Sequence, residues 1–495
     1  MADAYFWPSV SAISAIALVW FISQSRKNRS TNIPGPRGWP IVGYMPHLSP
    51  HKLYDTMKQL IDDYGPIFKL KLGSWNTVVI ADYELIRKAF NEHDFSFRPK
   101  LFFVEFTSQG GYGLTGSNGQ LWQEQRRFAL RHLRDLGMGR SSIESHIQRE
   151  ALAVTEDLKK TMGQPIDLSF NLNIAITNIV WAIVAGKRME YDDPTFLGFM
   201  EANNRNFQLS TRMGIIGFIP WLKTLLPESW LGLNFLKETR GQIIDYIKDL
   251  IKEHKENFDP NDLRDYIDHF LAEQARQGED STFSDLQLIT SVANLFVAGG
   301  ETTSTTLRWA VLLLAYHPEV QRRMQEEIDR VIGAERLPTL NDREQMPYTD
   351  AVIHEVQRFG DIAPMGVFHT NRNDVDFGGY IIPKDTLVMG YAGECHRSSK
   401  FWSHPDQFRP EHFLDAEGNL RKNVQGFFPF STGKRICIGE SLARLELFLF
   451  VASIFRTFDF HLCSEPTPSL SGSPDSGIVR LPSPYKVRLE LRMNL

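Results

Sequence analysis

Ten residues near the C-terminus, Phe430-Ser431-Thr432-Gly433-Lys434-Arg435-Ile436-Cys437-Ile438-Gly439, constrain this chain more than any other stretch. They form a glycine-punctuated loop with one cysteine near its end, and an apolar helix is expected directly after it, from Glu440 to about Phe458. A thiolate at such a junction faces the positive end of the helix dipole and the free N–H groups of the first turn, both of which favour negative sulfur. Gly433 and Gly439 would let the backbone pass close to a flat object, and Arg435 would put a cation beside the sulfur. A lone cysteine is more often a buried structural residue, but the surrounding string reverses that expectation. Only three cysteines occur, Cys395, Cys437 and Cys463. So odd and sparse a set excludes a secreted disulfide framework and places the folded part in a reducing compartment.

At the other end, no charged residue occurs from Ala4 to Ser25, and most of that stretch is apolar. About twenty apolar residues span a bilayer as a helix, so residues 1–25 are expected to be a membrane anchor. Arg26, Lys27 and Arg29 follow it. Charge after the apolar run differs from a cleaved signal peptide, which carries it before, and it keeps the bulk of the chain cytosolic. Residues 26–43 contain Ile33-Pro34-Gly35-Pro36-Arg37-Gly38-Trp39-Pro40. Each X-Pro step disfavours helix, so this is expected to be a stiff hinge, with residues 44–495 as one catalytic domain. A net charge of -5 gives no electrostatic case for a nucleic-acid partner.

Within that domain the pattern predicts a hairpin of Ile67–Leu72 and Thr77–Ile80 around Gly73-Ser74, then a helix over Tyr83–Asn91. From about residue 120 to 360 apolar residues recur at helical spacing. Strand patterns return near 375–389 and 485–491. The fold class is therefore mainly α (α+β), a large helical domain with a small β-rich region; nothing alternates regularly enough for a doubly wound sheet.

Three further constellations carry chemistry. A long helix expected over 284–316 contains Ala298-Gly299-Gly300-Glu301-Thr302-Thr303. Adjacent glycines cost about 1 kcal/mol each in a helix, so they call for a flat ligand close by or an opened hydrogen-bond ladder. Glu301 and Thr302 set an acid beside a hydroxyl, a pair suited to passing protons, although such threonines also bond back to the preceding turn. Glu355 and Arg358 stand three apart on one helix face. Trp122 and Arg126 stand one turn apart and can reach the same carboxylate.

The ten-residue string matches the haem-binding loop of cytochrome P-450 enzymes, Phe-x-x-Gly-x-Arg-x-Cys-x-Gly, at every fixed position, and the chain resembles the microsomal type over essentially its whole length. The resemblance implies the P-450 fold behind an N-terminal transmembrane helix, with Cys437 as axial ligand of haem b. It implies that Glu301 and Thr302 assist oxygen activation, and that Trp122, Arg126, Arg98, His369 and Arg435 contact the haem propionates. Glu355 and Arg358 would be structural, joined by His412 where many members carry arginine. The pocket would be walled by Phe102, Leu114, Phe207, Asn294, Ala298, Val367, Ile478 and Val479. Gly116 stands where relatives often carry phenylalanine, which would leave more room above the haem. Arg480 would lie at the pocket mouth and favour acidic substrates, or else at the surface. Residues 213–233 would form an entrance lip dipping into the membrane, or a buried helix pair.

The activity implied is that of a monooxygenase acting on paired donors, inserting one atom of dioxygen into a steroid, fatty acid, terpenoid or xenobiotic. No Gly-x-Gly-x-x-Gly follows a strand, so NADPH is used only through a partner. That partner is expected to be NADPH-cytochrome P-450 reductase, with a small haem electron carrier as a further candidate. Arg127, Arg131, Arg134 and Lys434 are the expected docking face. Membrane lipid of the endoplasmic reticulum is the expected surrounding. The alternatives are a haem-thiolate isomerase or dehydratase of lipid peroxides, and a non-catalytic haem or lipid-binding membrane protein.

Overall fold

The computed structural model describes residues 32–492 apart from 50–51, 213, 279–280, 475 and 477–478. The helices are α1 (Leu53–Tyr64), α2 (Tyr83–Asn91), α3 (Phe102–Thr107), α4 (Gly119–Asp135), α5 (Glu144–Lys159), α6 (Ser169–Ala185), α7 (Pro194–Arg212) and α8 (Gly214–Phe218). They continue with α9 (Leu222–Leu225), α10 (Leu233–Glu256), α11 (Tyr266–Gln277), α12 (Asp285–Tyr316), α13 (Pro318–Val331), α14 (Pro347–Gly360), α15 (Ala392–Arg397) and α16 (Glu440–Thr457). The strands are β1 (Ile67–Leu72), β2 (Trp75–Ile80), β3 (His369–Thr370), β4 (Val375–Phe377), β5 (Tyr380–Ile382), β6 (Leu387–Gly390), β7 (Phe458–Leu462) and β8 (Val487–Leu491).

Local chemistry sets the element ends. Asp82 caps α2 by accepting from the N–H groups of Glu84 and Leu85, and Ser284 caps α12 by accepting from Gln287. Pro318 opens α13 one residue after the last turn of α12, since it has no N–H to continue the helix. The predicted hairpin is present, with Ile67 opposite Ile80 and Leu72 opposite Trp75. β2 then pairs in parallel with β6, which pairs antiparallel with β3. The helix expected to run to Phe458 stops one residue earlier. β7 begins there and pairs with β8.

α12 crosses the middle of the helical domain and packs against α6, α16 and α14. Trp181 of α6 stacks on Phe296 of α12 at 4.0 Å between ring centroids, and both side chains are buried. The glycine pair finds its reason here. A Cβ on Gly299 would meet Val180 at 2.6 Å, and one on Gly300 would meet the Thr177 hydroxyl at 2.5 Å. The bare backbone lets α6 approach, a helix-on-helix contact that is itself a reason for both glycines. Gly433 likewise has φ +78°, and a Cβ there would lie 2.1 Å from the Phe90 carbonyl. It seats the cysteine loop on the end of α2.

Among the described residues no helix is long and apolar enough to cross a membrane, and the expected anchor at 1–25 lies outside them. The Pro/Gly segment is non-helical as expected, but it is docked. Lys69 N–H donates to Pro34, Tyr44 N–H to Lys71 and Gly73 N–H to Val42, so the segment runs along β1.

Filling the close approach should cost stability. Gly300→Val is expected to lose about 1–3 kcal/mol through overpacking, whereas Gly198→Ala, an exposed helical position with nothing within 4 Å, should hold or gain. Thermal midpoints of the two variants check the contrast.

Candidate active site

Cys437 follows a 3-10 turn at Gly433–Arg435, and its N–H donates to the Phe430 carbonyl at 3.0 Å. The N–H groups of Gly439 and Glu440, at the start of α16, face the sulfur as the helix dipole requires. Burial pushes the thiol up, while those two N–H groups and Arg126 pull it down. The cation beside the sulfur is therefore Arg126, in place of the expected Arg435. Cys437 is accessible although it lies deep enough to be desolvated, so it opens onto internal space. The other thiols are poor alternatives: Cys395 is sealed in the core, and Cys463 leans on the Lys486 carbonyl at 3.4 Å.

Three arginines gather beside this loop without an acid among them. Arg98 donates from Nη1 to the Val367 and Phe368 carbonyls at 2.9 Å, and Arg126 donates to that of Ile436. Arg435 donates to the carbonyls of Ser96 and Ser117 at 2.8 and 2.7 Å, and its guanidinium lies 3.9 Å from the Trp122 ring. Burial, then Arg98 and Arg126, push Arg435 down to about 7; burial and Arg126 push Arg98 down to about 9. Arg98 Nε, Arg435 Nη1 and Trp122 Nε1 are buried without a partner. Orphaned donors of this kind are rare, and here all three belong to one cationic cluster. A ligand bearing carboxylates satisfies them and relieves the mutual repulsion. His369 stacks on Phe90 at 4.0 Å, with Nδ1 2.6 Å from the Phe95 carbonyl. Burial, then Arg98 and Arg435, hold its pKa well below the ordinary histidine value.

On α12, Glu301 is buried and accepts from Asn173 Nδ2 of α6 at 2.7 Å. Burial raises its pKa and keeps it protonated more readily than an ordinary carboxylate. Thr302 donates to the Ala298 carbonyl at 2.8 Å, and Ala298 is exposed on this otherwise core helix. The hydroxyl thus bonds back to the preceding turn at rest, and its lone pairs remain available to accept.

The Glu355–Arg358 pair is fully buried and bidentate, with both contacts 2.7 Å. His412 Nδ1 lies 3.2 and 3.4 Å from the same carboxylate, and Arg358 also donates to the carbonyls of His396, Pro405 and Gln407. Breaking one partner of such a pair costs about 3–5 kcal/mol, because the other charge is left stranded. A second chain of contacts reaches the cysteine loop. Tyr54 donates to Asp361, and Phe428 N–H donates to His396 Nε2, so His396 carries its proton on Nδ1, 2.9 Å from Asp361.

The expected pocket residues divide. Phe102 packs with Phe106 against Ile216, Leu233 and Leu236, beneath the Lys223 ammonium at 3.3 Å. Leu114 is partly buried, Val479 is buried, and Val367 is exposed with its carbonyl on Arg98. Asn294 is engaged by backbone, accepting from Leu114 and Thr115. Ile478 and the side chain of Phe207 lie outside the described residues. Gly116 opens no room, since a Cβ there would lie 2.4 Å from that of Ser108. Arg480 is neither at a mouth nor on the surface. It is buried, donating to the carbonyls of Phe359, Gly360, Leu470 and Ser471, with its guanidinium 4.5 Å from the Trp309 ring.

One group escaped sequence reasoning altogether. Glu446 of α16 is buried, Thr303 of α12 hydrogen-bonds it, and its Oε1 has no partner. Its signal was a single acid inside the run Leu445-Glu446-Leu447-Phe448-Leu449-Phe450.

Comparison with known proteins agrees with this architecture. The family description "Cytochrome P450" matches residues 33–489. The chain is 41% identical to cytochrome P450 2C2 of Oryctolagus cuniculus over 92% of its length and 93% of that protein's. It is 40% identical to cytochrome P450 2C8 of Homo sapiens, with the same coverages, and 37% identical to cytochrome P450 2L1 of Panulirus argus over 93% and 94%. The chain belongs to the cytochrome P450 family. As a P450 it is a haem-thiolate monooxygenase that draws electrons from NADPH through its reductase. The orphaned donors, the acid-free arginines and the accessible thiol fit that cofactor.

Glu446 gives this P450 a pH-dependent stability. Burial pushes its carboxyl up to about 8 from an ordinary 4.5, so between these values the unfolded chain releases a proton that the folded protein keeps. Stability should therefore fall as pH rises through that window, by up to about 1.4 kcal/mol per unit. Glu446→Gln should flatten the thermal midpoint against pH.

Proposed function

We propose that Cys437 ligates the haem iron, that Arg98, Trp122, Arg126 and Arg435 hold the propionates with His369 beside them, and that Glu301 and Thr302 deliver protons for oxidation of an apolar small molecule. The observation that carries this reading is one loop with two faces. Its sulfur receives backbone N–H groups from α16, and its arginine joins a cationic cluster that meets no counter-charge among the described residues. Bound haem supplies the redox-active iron at which dioxygen is reduced.

The protein's own part is positioning and proton supply. Burial raises the pKa of Glu301, which suits it to exchanging protons, and Asn173 fixes its carboxyl. Thr302 donates to the Ala298 carbonyl, and its hydroxyl keeps lone pairs with which it would accept and pass on a proton on the open side of α12. The raised pKa of Glu301 supports this reading over an isomerase of lipid peroxides.

Residues 1–25 anchor the enzyme in the endoplasmic reticulum membrane, with 26–43 as the connection and 44–495 as the catalytic domain. Support comes from where large apolar side chains are left uncovered. Trp230 is 78% exposed and Leu225 69%, while Trp39 and Ile41 are also exposed. Ser74 N–H donates to Phe218 and Trp75 Nε1 to Gly217, so the hairpin tip ties these segments to one end of the molecule. That end is where the chain enters from the anchor, and uncovered apolar residues there suit a lipid surface. Ile216, Ile219 and Leu233 are buried, so the 213–233 stretch combines a packed inner face with an outer face for membrane. Arg127, Arg131, Arg134 and Lys434 are exposed on α4 and the cysteine loop, a basic face for the reductase and for a small haem electron carrier. The substrates are steroids, fatty acids, terpenoids or xenobiotics that partition into that membrane.

Reduced, carbon-monoxide-treated enzyme should show the long-wavelength Soret band of thiolate-ligated haem, and Cys437→Ala should lose it. Persistence of the band in that variant would sink the ligand assignment. Thr302→Ala should lower product formed per NADPH by about tenfold or more, with the band unchanged and the label from isotopic dioxygen still entering the residual product.

A further inference from the structure

A polar cavity of about 180 Å³ opens among Trp402, Ser403, Arg409, Glu411, His412 and Arg421. His412 is its buried member, 6% exposed, with its ring edge-on to that of Trp402 at 5.5 Å between centroids. Nδ1 of that ring is turned to Glu355, whose carboxylate also accepts from Arg358 and, at 2.7 Å, from the Arg409 N–H. A carboxylate has no proton to give, so Nδ1 carries the proton and Nε2, across the ring, is a bare lone pair. Nε2 is buried and meets no donor. A nitrogen desolvated in this way calls for a donor from outside the chain. Two cations line the same cavity. Arg421 donates from Nη1 to the His412 carbonyl at 2.9 Å and makes no ion pair among the described residues. The Arg409 guanidinium, half-buried, has neither a hydrogen bond nor an ion pair among them. Glu411, the acid of the lining, is taken up by Arg323 of α13 at 2.7 Å.

We propose that this cavity binds a hydrogen phosphate group, free or at the end of a small phosphate monoester. The group gives its P–OH proton to the His412 lone pair and sets its negative oxygens against Arg409, Arg421 and the Ser403 hydroxyl. Other solutes match only half of the lining. Sulfate and carboxylates have oxygens for the arginines but, near neutral pH, no proton for Nε2. Alcohols and amides have the proton but leave two guanidiniums without a counter-charge. Occupancy is felt beyond the cavity, because a donor on Nε2 polarises the ring and strengthens the Nδ1–H bond to Glu355. Glu355 in turn holds Arg358, which fixes the carbonyls of His396, Pro405 and Gln407. The site thus links a phosphate-bearing solute to the rigidity of the segment after α15, and it stands apart from the haem reading.

Calorimetric titration of the full-length, haem-loaded enzyme with inorganic phosphate tests this, with sodium chloride matching the ionic strength throughout. Phosphate should bind at one site per chain and raise the thermal midpoint, and sulfate should bind severalfold more weakly. Glycerol phosphate, titrated in parallel, presents the same group on a carbon chain, and the tighter of the two names the source. Arg409→Gln and Arg421→Gln should each weaken phosphate by about tenfold or more and abolish the rise in midpoint. Arg276→Gln, an exposed guanidinium on α11, should bind phosphate as the wild type does. Both cavity variants keep the Arg409 backbone N–H on Glu355, so the fold is retained and a loss of binding reports the cavity. Absence of binding to the wild type overturns the proposal. So does unchanged affinity in both cavity variants, an equal loss in Arg276→Gln, or sulfate binding as tightly as phosphate. A wild-type enzyme without the thiolate Soret band would instead sink the haem reading, and the titration does not depend on that band.

Discussion

Three guanidiniums, Arg98 and Arg435 buried and Arg126 half-buried, lie together with no carboxylate among the described residues to meet them, and much of the site follows from that. Desolvating a cation costs several kcal/mol unless an opposite charge repays it. Here the fold offers only carbonyls and the Trp122 ring. The arrangement makes sense as half of an ion pair whose other half arrives with the cofactor. It also ties distant parts of the chain together: Arg98 precedes α3, Arg126 is on α4, and Arg435 is in the cysteine loop. Whatever anion binds them draws these three segments into one register, which links cofactor binding to folding.

The other side of the loop is made rigid in the opposite way, by ion pairs closed within the chain. Arg358 spends its donors on Glu355, on the carbonyl of His396 in α15, and on those of Pro405 and Gln407 in the segment after it. His396 in that region accepts from Phe428, two residues before the loop begins. A thiol must be held where the iron will be, against the thermal freedom of a glycine-containing loop. Buried pairs do this at little net gain in stability, because their value lies in geometry.

Much of this was legible in sequence where neighbours along the chain carry the chemistry. The cysteine loop with its following helix, the Glu-x-x-Arg pair, the hairpin and the capped α12 all depend on local spacing. What was not legible depends on partners far away in the chain. Gly299 and Gly300 looked like a ligand contact because Val180 and Thr177 cannot be seen from α12. β7 was not anticipated, because Ile454, Phe455, Phe458 and Phe460 run on from the helix without a glycine or proline to mark a change of element. Alignment placed Gly116, Arg480 and Asn294 near a pocket, but position along a fold does not say what a side chain meets. Gly116 meets Ser108, Arg480 meets carbonyls, and Asn294 meets backbone N–H groups. Arg435 was right as a cation of the site and wrong as the neighbour of the thiol.

α12 shows how one helix can assemble such a site. Its Gln287, Thr290 and Asn294 side hold the 109–117 loop, and its Ala298 and Thr302 side is open. Gly299, Gly300 and Glu301 meet α6 through Val180, Thr177 and Asn173. Thr303 turns to Glu446 on α16, the helix that begins at the thiolate. Successive residues from 298 to 303 therefore point to different tasks, each about 100° from the last on a helix of 3.6 residues per turn. A helix packed on most of its sides has little solvated face to absorb error, so most residues there are set by what they touch. That crowding explains why an acid, two hydroxyls and two glycines sit in an otherwise apolar helix: each is the size or the charge that its own neighbour requires.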